Sequence, residues 1–392
     1  MARILKFNFT ILTVVFLTIF SFVSNANSQG KLIKQEDSVI VNSAKIEEIP
    51  DLINSLANLL PQKRIYLMNE LHWVKMNNLI RNDLVRSLHQ KKKVNCFLIE
   101  LNHSFAFGMN LFLKYGDTKI LADFDGYDQT NMVDTAKFYE RIKNLYQYNI
   151  KQDRNNRIRY IGIDFEIDKN RTREYVVAME YFMRLGKDKL PLSIIEILKE
   201  IKQSDIGNVK YLIMQNEKLL TETQKYKSEI AKALGDIFLD YMLIINAPNK
   251  IPFGRRDGDM ISTLNYAVQI LQETGTVKEP IFMGSFGKAH IFPEDGNSFS
   301  SLVQKSEYFK NNTSLIGVQY VNCLSRYKNE TPNPIENDGL SIKNKATKIV
   351  VGSYLKSISD ETNMPIILLN NIKKSNVDYF RFYDAILIYT GG

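Results

Sequence analysis

Arg64-Ile65-Tyr66-Leu67-Met68-Asn69-Glu70-Leu71-His72 is an apolar run that stops abruptly at polar and titratable residues. Residues 64–68 read as a short strand ending at Asn69-Glu70. Behind them, Asn77 to Gln90 carries Leu79, Ile80, Leu84, Val85 and Leu88 at helical spacing. The same pattern recurs down the chain. Asn95 to Ile99 is a strand ending at Glu100, followed by a helical stretch from Ser104 to Tyr115. Arg159 to Ile163 is a strand ending at Asp164. Pro280 to Gly284 is another, followed by Ser285 to His290, and residues 315–320 and 385–389 complete the set. Strands alternating with helices predict an α/β fold with a mainly parallel β-sheet flanked by helices.

From Arg171 to Asn249 the strand pattern vanishes. Val176 to Leu185, Leu192 to Ile201 and Val209 to Ile245 read as helices, the last rich in Lys and Glu at spacings of three and four. We expect a helical insertion, or a cap over one end of the sheet, at about 171–249 within a single domain spanning 29–392. Residues 1–28 have the order of a secretory signal peptide: Arg3 and Lys6, an uncharged apolar run from Phe7 to Val23, then Ser24-Asn25-Ala26-Asn27-Ser28. Cleavage after Ala26 or after Ser28 fits, giving a secreted or periplasmic protein with no stable membrane insertion. A retained anchor is the alternative, since the run is near the lower limit for spanning a bilayer.

Composition sets outer limits. The chain has 392 residues, 44% of them apolar and 24% charged, which is ordinary for a globular protein. Its net charge of +8 is spread through the helices. Lys91-Lys92-Lys93 is the one tight basic run and reads as a helix end, so we expect no nucleic-acid partner. Cys96 and Cys323 each lie in or beside an apolar run and read as buried free thiols; an exported chain would also permit a disulfide.

Glu70, His72, Glu100, Asp164 and His290 all follow the ends of apolar runs. In open parallel sheets ligands bind beyond the carboxyl ends of the strands. One such residue is an ordinary cap or turn former; five, from four strands, point to a shared site. The chain has four histidines, and two are in this set. Neutral imidazole can take a proton from water, which suits His72. Glu70 can fix its tautomer, Glu100 can orient the water, and His290 can polarise a carbonyl or protonate a leaving group. Arg255 and Arg256, after Pro252-Phe253-Gly254, offer a fork for an oxyanion or a substrate carboxylate, or else a solvated helix start. Trp73 can wall a pocket beside His72 or pack a helix onto the sheet. His103 reads as a helix-start residue, and His89 as a structural residue at a helix C-terminus, where positive charge suits the dipole. No Gly-x-Ser-x-Gly elbow is present, which disfavours an ordinary serine esterase. No cofactor is required by this reading. A divalent metal held by His72, His290, Glu70 and Glu100 is the alternative, although HExxH and CxxC spacings are lacking.

Leu67-Met68-Asn69-Glu70-Leu71-His72, an amphipathic helix, and then Phe97-Leu98-Ile99-Glu100 together resemble the erythromycin esterase and ChaN/TraB-like superfamily. Arg256-Asp257-Gly258-Asp259-Met260, Phe286-Gly287-Lys288-Ala289-His290 and the closing Tyr383 to Ile388 resemble its later motifs. Asn69 stands where the superfamily usually has Gly, and Glu70 precedes His72 by two residues, as in the ChaN/TraB-like branch. The resemblance runs from about residue 60 to the end. It implies an α/β fold and a His-activated water, with Glu70, His72, Glu100, Arg256 and His290 as the carried-over positions. We therefore expect an exported hydrolase that cleaves an ester, or less readily an amide, of a small-molecule substrate. Substrate contacts are expected from Arg256, Arg255, Trp73 and Asp164. The alternatives are a haem-, iron- or other ligand-binding uptake protein of the ChaN-like type, or a metal-dependent peptidase-like protein.

Overall fold

The computed structural model describes residues 40–44, 49–124 except 73, 135–167, 171–247 except 187, 256–292 except 278, 296–321, 323–325, 333–335, 366–370 and 382–390. Ten strands occur among them: β1 (Ile40–Ala44), β2 (Ile65–Glu70), β3 (Cys96–Ile99), β4 (Arg159–Gly162), β5 (Phe282–Gly287), β6 (Thr313–Val321), β7 (Cys323–Ser325), β8 (Asn333–Ile335), β9 (Ile366–Asn370) and β10 (Ala385–Thr390). Eight form one sheet in the order β1-β9-β10-β6-β2-β5-β3-β4, and β7 and β8 pair separately. From β10 to β4 every pairing is parallel, while β9 runs against both of its neighbours. All six residues of β2 are buried. A central parallel strand is covered on both faces, which is why it reads as a continuous apolar run.

Both faces carry helices. On one, Tyr66, Met68, Phe97, Ile99, Met283 and Ile316 pack with helices Ile49–Leu59 and Lys75–Lys92. Ile80, Leu84, Val85 and Leu88 form the buried stripe of the second helix. Its basic last turn ends at Lys93 in the left-handed conformation (φ 63°), so the three lysines do close the helix. On the other face, Ile65, Leu67, Cys96, Leu98, Ile161 and Phe282 share a core with the inserted helices. Tyr175, Phe182, Ile194, Leu212 and Ile244 belong to that core, so the insertion covers a face of the sheet rather than capping one end.

Two of the differences from the expected elements have a clear physical cause. The fourth predicted strand begins and ends later, at Phe282–Gly287; the later start follows from Pro280, which lacks an N–H for a ladder bond. The long third helix of the insertion is three helices, Val209–Lys225, Lys227–Leu234 and Phe238–Asn246. The second break falls at Gly235, whose φ of 54° lies outside helical space. Cys96 is a free buried thiol, and burial pushes its pKa up to about 12. Among the described residues no helix is long and apolar enough to cross a membrane. Residues 1–28, and with them the expected signal peptide, lie outside the described residues, as do Trp73 and Arg255.

Candidate active site

The carboxyl ends of β2, β5, β3 and β4 lie side by side, and Glu70, His72, Glu100, Asp164 and His290 stand there. Glu70 ends β2 opposite Gly287 of β5. His72 sits in the turn before helix Lys75–Lys92, and that turn is pinned from β6. The Leu71 N–H donates to the Tyr320 hydroxyl at 3.0 Å. Tyr320 donates to Asn77 Oδ1 at 2.7 Å, and Asn77 Nδ2 donates back to the Leu71 carbonyl at 2.6 Å. Backbone register between β2 and β6 stops at Met68. There the Asn69 amide takes over the ladder: its Oδ1 accepts from the Val318 N–H, and its Nδ2 donates to the Val318 carbonyl at 3.4 Å. A side chain thus stands in for main chain where the strands begin to part.

His72 is the exposed member, with half its side chain open to solvent. Its Nδ1 lies 3.5 Å from Glu70 Oε1, and its Nε2 lies 3.7 Å from Glu100 Oε2. The second distance is too long for a direct hydrogen bond and short enough for one water to touch both groups. Gly287 makes room for this pair. A Cβ there would fall 2.9 Å from His72 Nε2 and 3.4 Å from Glu100 Oε2. Its N–H donates to Glu100 Oε2 at 2.7 Å. Behind them, Ser285 donates to Glu70 Oε2, and Arg81 lies 3.6 Å from the same oxygen.

The other half of the site is an ion-pair chain. Glu100 Oε1 takes Arg256 at 2.8 Å and His290 Nε2 at 3.2 Å. Arg256 also donates from Nε and from its second terminal nitrogen to Asp164, at 3.2 and 2.6 Å. Arg171 holds Asp164 from the other side at 2.8 Å, and Asp257 Oδ1 binds His290 Nδ1. Asp164 was expected to contact substrate. Its side chain is fully buried, so it acts by fixing Arg256. Arg256 is correspondingly less of a free fork than expected, because two of its nitrogens are committed to carboxylates.

These contacts set the charges. Burial alone would raise the Glu100 pKa, but His290, His72 and Arg256 together bring it down to about 2. Burial likewise opposes charge on His290, yet Asp257 and Glu100 outweigh it and lift the imidazole to about 9. The bond to Glu70 raises His72, against partial burial. For Glu70 itself, burial is overcome by Arg81, His72 and Ser285, and the net shift is downward. With His290 protonated, both of its nitrogens are donors. The 3.3 Å approach of Arg256 to His290 is then a contact between two cations held apart and neutralised by the Glu100 carboxylate.

Among the described residues no group of three or more His, Cys, Asp or Glu side chains is arranged to hold a metal ion. Glu100 shows why. Its oxygens already accept from Gly287, Arg256 and His290, and Arg256 supplies positive charge between Glu100 and Asp164. A divalent ion would have to compete with these donors for the Glu100 oxygens.

Two histidines are structural. His103 is buried beneath the rim, where Nδ1 accepts from the Gly162 N–H and Nε2 reaches Asp240 of the insertion, both at 3.1 Å. His89 is bonded at both nitrogens, to Tyr148 at 2.7 Å and to the Asn156 carbonyl at 2.6 Å. Burial lowers its pKa, so it stays neutral instead of serving the helix dipole as a cation. Asp257, Ser285, Arg81, Arg171, Asn77 and Tyr320 were not singled out from sequence as site residues. Asp257 alone left a signal there, as the neighbour of Arg256 at the start of a helix.

No family model matches the chain, and no curated protein matches it. Solved structures do. A structural-genomics protein from Bacillus cereus is 10% identical, over 89% of this chain and 98% of its own, with a TM-score of 0.54. A succinoglycan biosynthesis protein is 13% identical, over 89% and 98%, with a TM-score of 0.56. A mutant of an erythromycin esterase in its open conformation aligns at 10% identity, over 89% and 97%, with a TM-score of 0.49. Likeness at 10–13% identity establishes a shared α/β fold, and it extends over most of the chain.

Proposed function

We propose that this protein is an exported hydrolase that activates water with His72 and cleaves an ester, or less readily an amide, of a small-molecule substrate. The observation that carries this reading is the pairing of two unlike histidines across Glu100. His72 is open to solvent, oriented by Glu70, and presents Nε2 towards Glu100. His290 is largely buried and held cationic between Asp257 and Glu100. Titratable groups that differ in this way divide naturally into base and acid.

The chemistry balances with no further group. His72 Nε2 takes a proton from a water that also touches Glu100, and the water oxygen forms a bond to the carbonyl carbon. Negative charge moves to the carbonyl oxygen. The Arg256 terminal nitrogen that has no carboxylate partner among the described residues is available to stabilise it, as an oxyanion donor should. The tetrahedral intermediate then collapses, the bond to the leaving oxygen breaks, and His290 supplies the proton that makes it an alcohol. His72 and the new carboxylic acid release their protons, His290 takes one back, and the products are a carboxylate, an alcohol and one proton released to solvent. The motif resemblance supports the reading, and the order of residues 1–28 supports export. The test is a panel of ester and amide substrates assayed on the purified protein with a chelator present. Turnover of an ester in chelator is expected. Binding of panel compounds without turnover would favour a ligand-binding protein instead.

A further inference from the structure

We propose that Asp257 is a positioning residue that locks the His290 ring, so that its Nε2–H is presented to Glu100 and to the leaving group. The inference deepens the hydrolase reading and takes its catalytic meaning from it. Asp257 lies in the first turn of helix Arg256–Thr274, where an acid is ordinarily explained by the helix dipole. Its geometry says more. Its Oδ1 bonds His290 Nδ1; a carboxylate accepting from Nδ1–H fixes the ring angle and favours the cation, the form that also carries Nε2–H.

Among the described residues, the charged groups facing His290 are few. Asp257 approaches from the helix, Glu100 from the end of β3 at 3.2 Å, and Arg256 at 3.3 Å. Lys288 lies on the short helix that carries His290 itself. Arg256 opposes a charge on His290, and the two carboxylates sustain it. Glu100 also serves Arg256 and the Gly287 N–H, whereas Asp257 makes its bond to His290 from outside that cluster. Asp259, in the same first turn, is a natural control: it shares the dipole term without the bond.

The experiment is an NMR titration of the histidine rings in the purified protein, comparing wild type with Asp257→Asn, Asp257→Glu and Asp259→Asn. In the wild type His290 should titrate near 9. Asp257→Asn should lower that midpoint by a unit or more, which is a tenfold or greater loss of proton affinity. Asp257→Glu should restore most of it, and Asp259→Asn should leave it in place. If Asp257→Asn does not fold, Asp257→Ser, which keeps an oxygen acceptor without the charge, should show the same fall. An unchanged midpoint in the folded neutral variants would overturn the inference, as would an equal fall in Asp259→Asn. No substrate enters this measurement. A substrate panel without turnover would therefore sink the hydrolase reading and leave the role of Asp257 to be decided by the titration.

Discussion

Glu100→Gln is the substitution on which the structure makes its sharpest quantitative claim. Glutamine keeps the shape and can still accept from the Gly287 N–H, but it removes the one negative charge that Arg256, His290 and His72 share. The Glu100 pKa is depressed from an ordinary 4.5 to about 2. At about 1.4 kcal/mol per unit, that depression corresponds to about 3 kcal/mol of folding stability. The same figure follows from another direction, since removing one partner of a buried pair typically costs about 3–5 kcal/mol. The low end applies here because Arg256 keeps Asp164 and His290 keeps Asp257. A depressed carboxylate contributes stability that is complete above its unfolded pKa and is lost as pH falls through the folded one. The gap between wild type and Glu100→Gln should therefore be about 3 kcal/mol at neutral pH, narrow below about 4.5, and close near 2. Urea unfolding of both proteins at pH 7, 4 and 3 measures it. A difference under about 1 kcal/mol at pH 7, or one that does not narrow in acid, would refute the charge assignment.

Three further outcomes follow from the same geometry. Gly287→Ala puts a methyl group 2.9 Å from the His72 ring nitrogen; because that ring is half exposed it can swing aside, so stability should hold while hydrolysis falls about 100-fold, as for a catalytic group displaced by about 1 Å. Asn69→Ala leaves the Val318 N–H and carbonyl without their partners and should cost about 1–3 kcal/mol in chemical unfolding; a neutral result would mean that the amide does not continue the ladder. Hydrolysis should follow a bell-shaped pH profile: His72, whose pKa is raised, must lose its proton, giving an acid limb above 6.5, and His290 must keep its own, giving an alkaline limb near 9. An acid limb below 6 would remove His72 as the base.

Much of this was readable in the chain before folding, for a physical reason. Strands buried on both faces are mostly apolar, so Glu70 and Glu100 stand out as the places where the apolar run ends. Parallel topology then carries those ends to one rim. His290 and Asp164 were legible on the same ground. Asp257, Ser285 and Tyr320 were not, because each acquires its meaning from a partner far away in sequence. Ser285 matters through the register that sets it beside Met68, two residues from the end of β2, and Tyr320 reaches the His72 turn only because β6 lies next to β2. The insertion was legible as helices. Its placement over one face depends on side chains such as Tyr175 and Ile244 finding Leu98 and Ile161 in a common core, which periodicity does not encode. His103 shows the opposite limit: three residues after Glu100 in sequence, it turns under the rim to meet Asp240.

The central claim is that His72 acts as a free base on water, and its replacement tests that most directly. On an ester found by the panel, with chelator present throughout, His72→Ala should lose about 10²–10⁴-fold in kcat with little change in KM. A variant that hydrolyses the ester at nearly the wild-type rate would contradict the claim, and so would a wild-type enzyme silenced by the chelator and revived by a divalent ion.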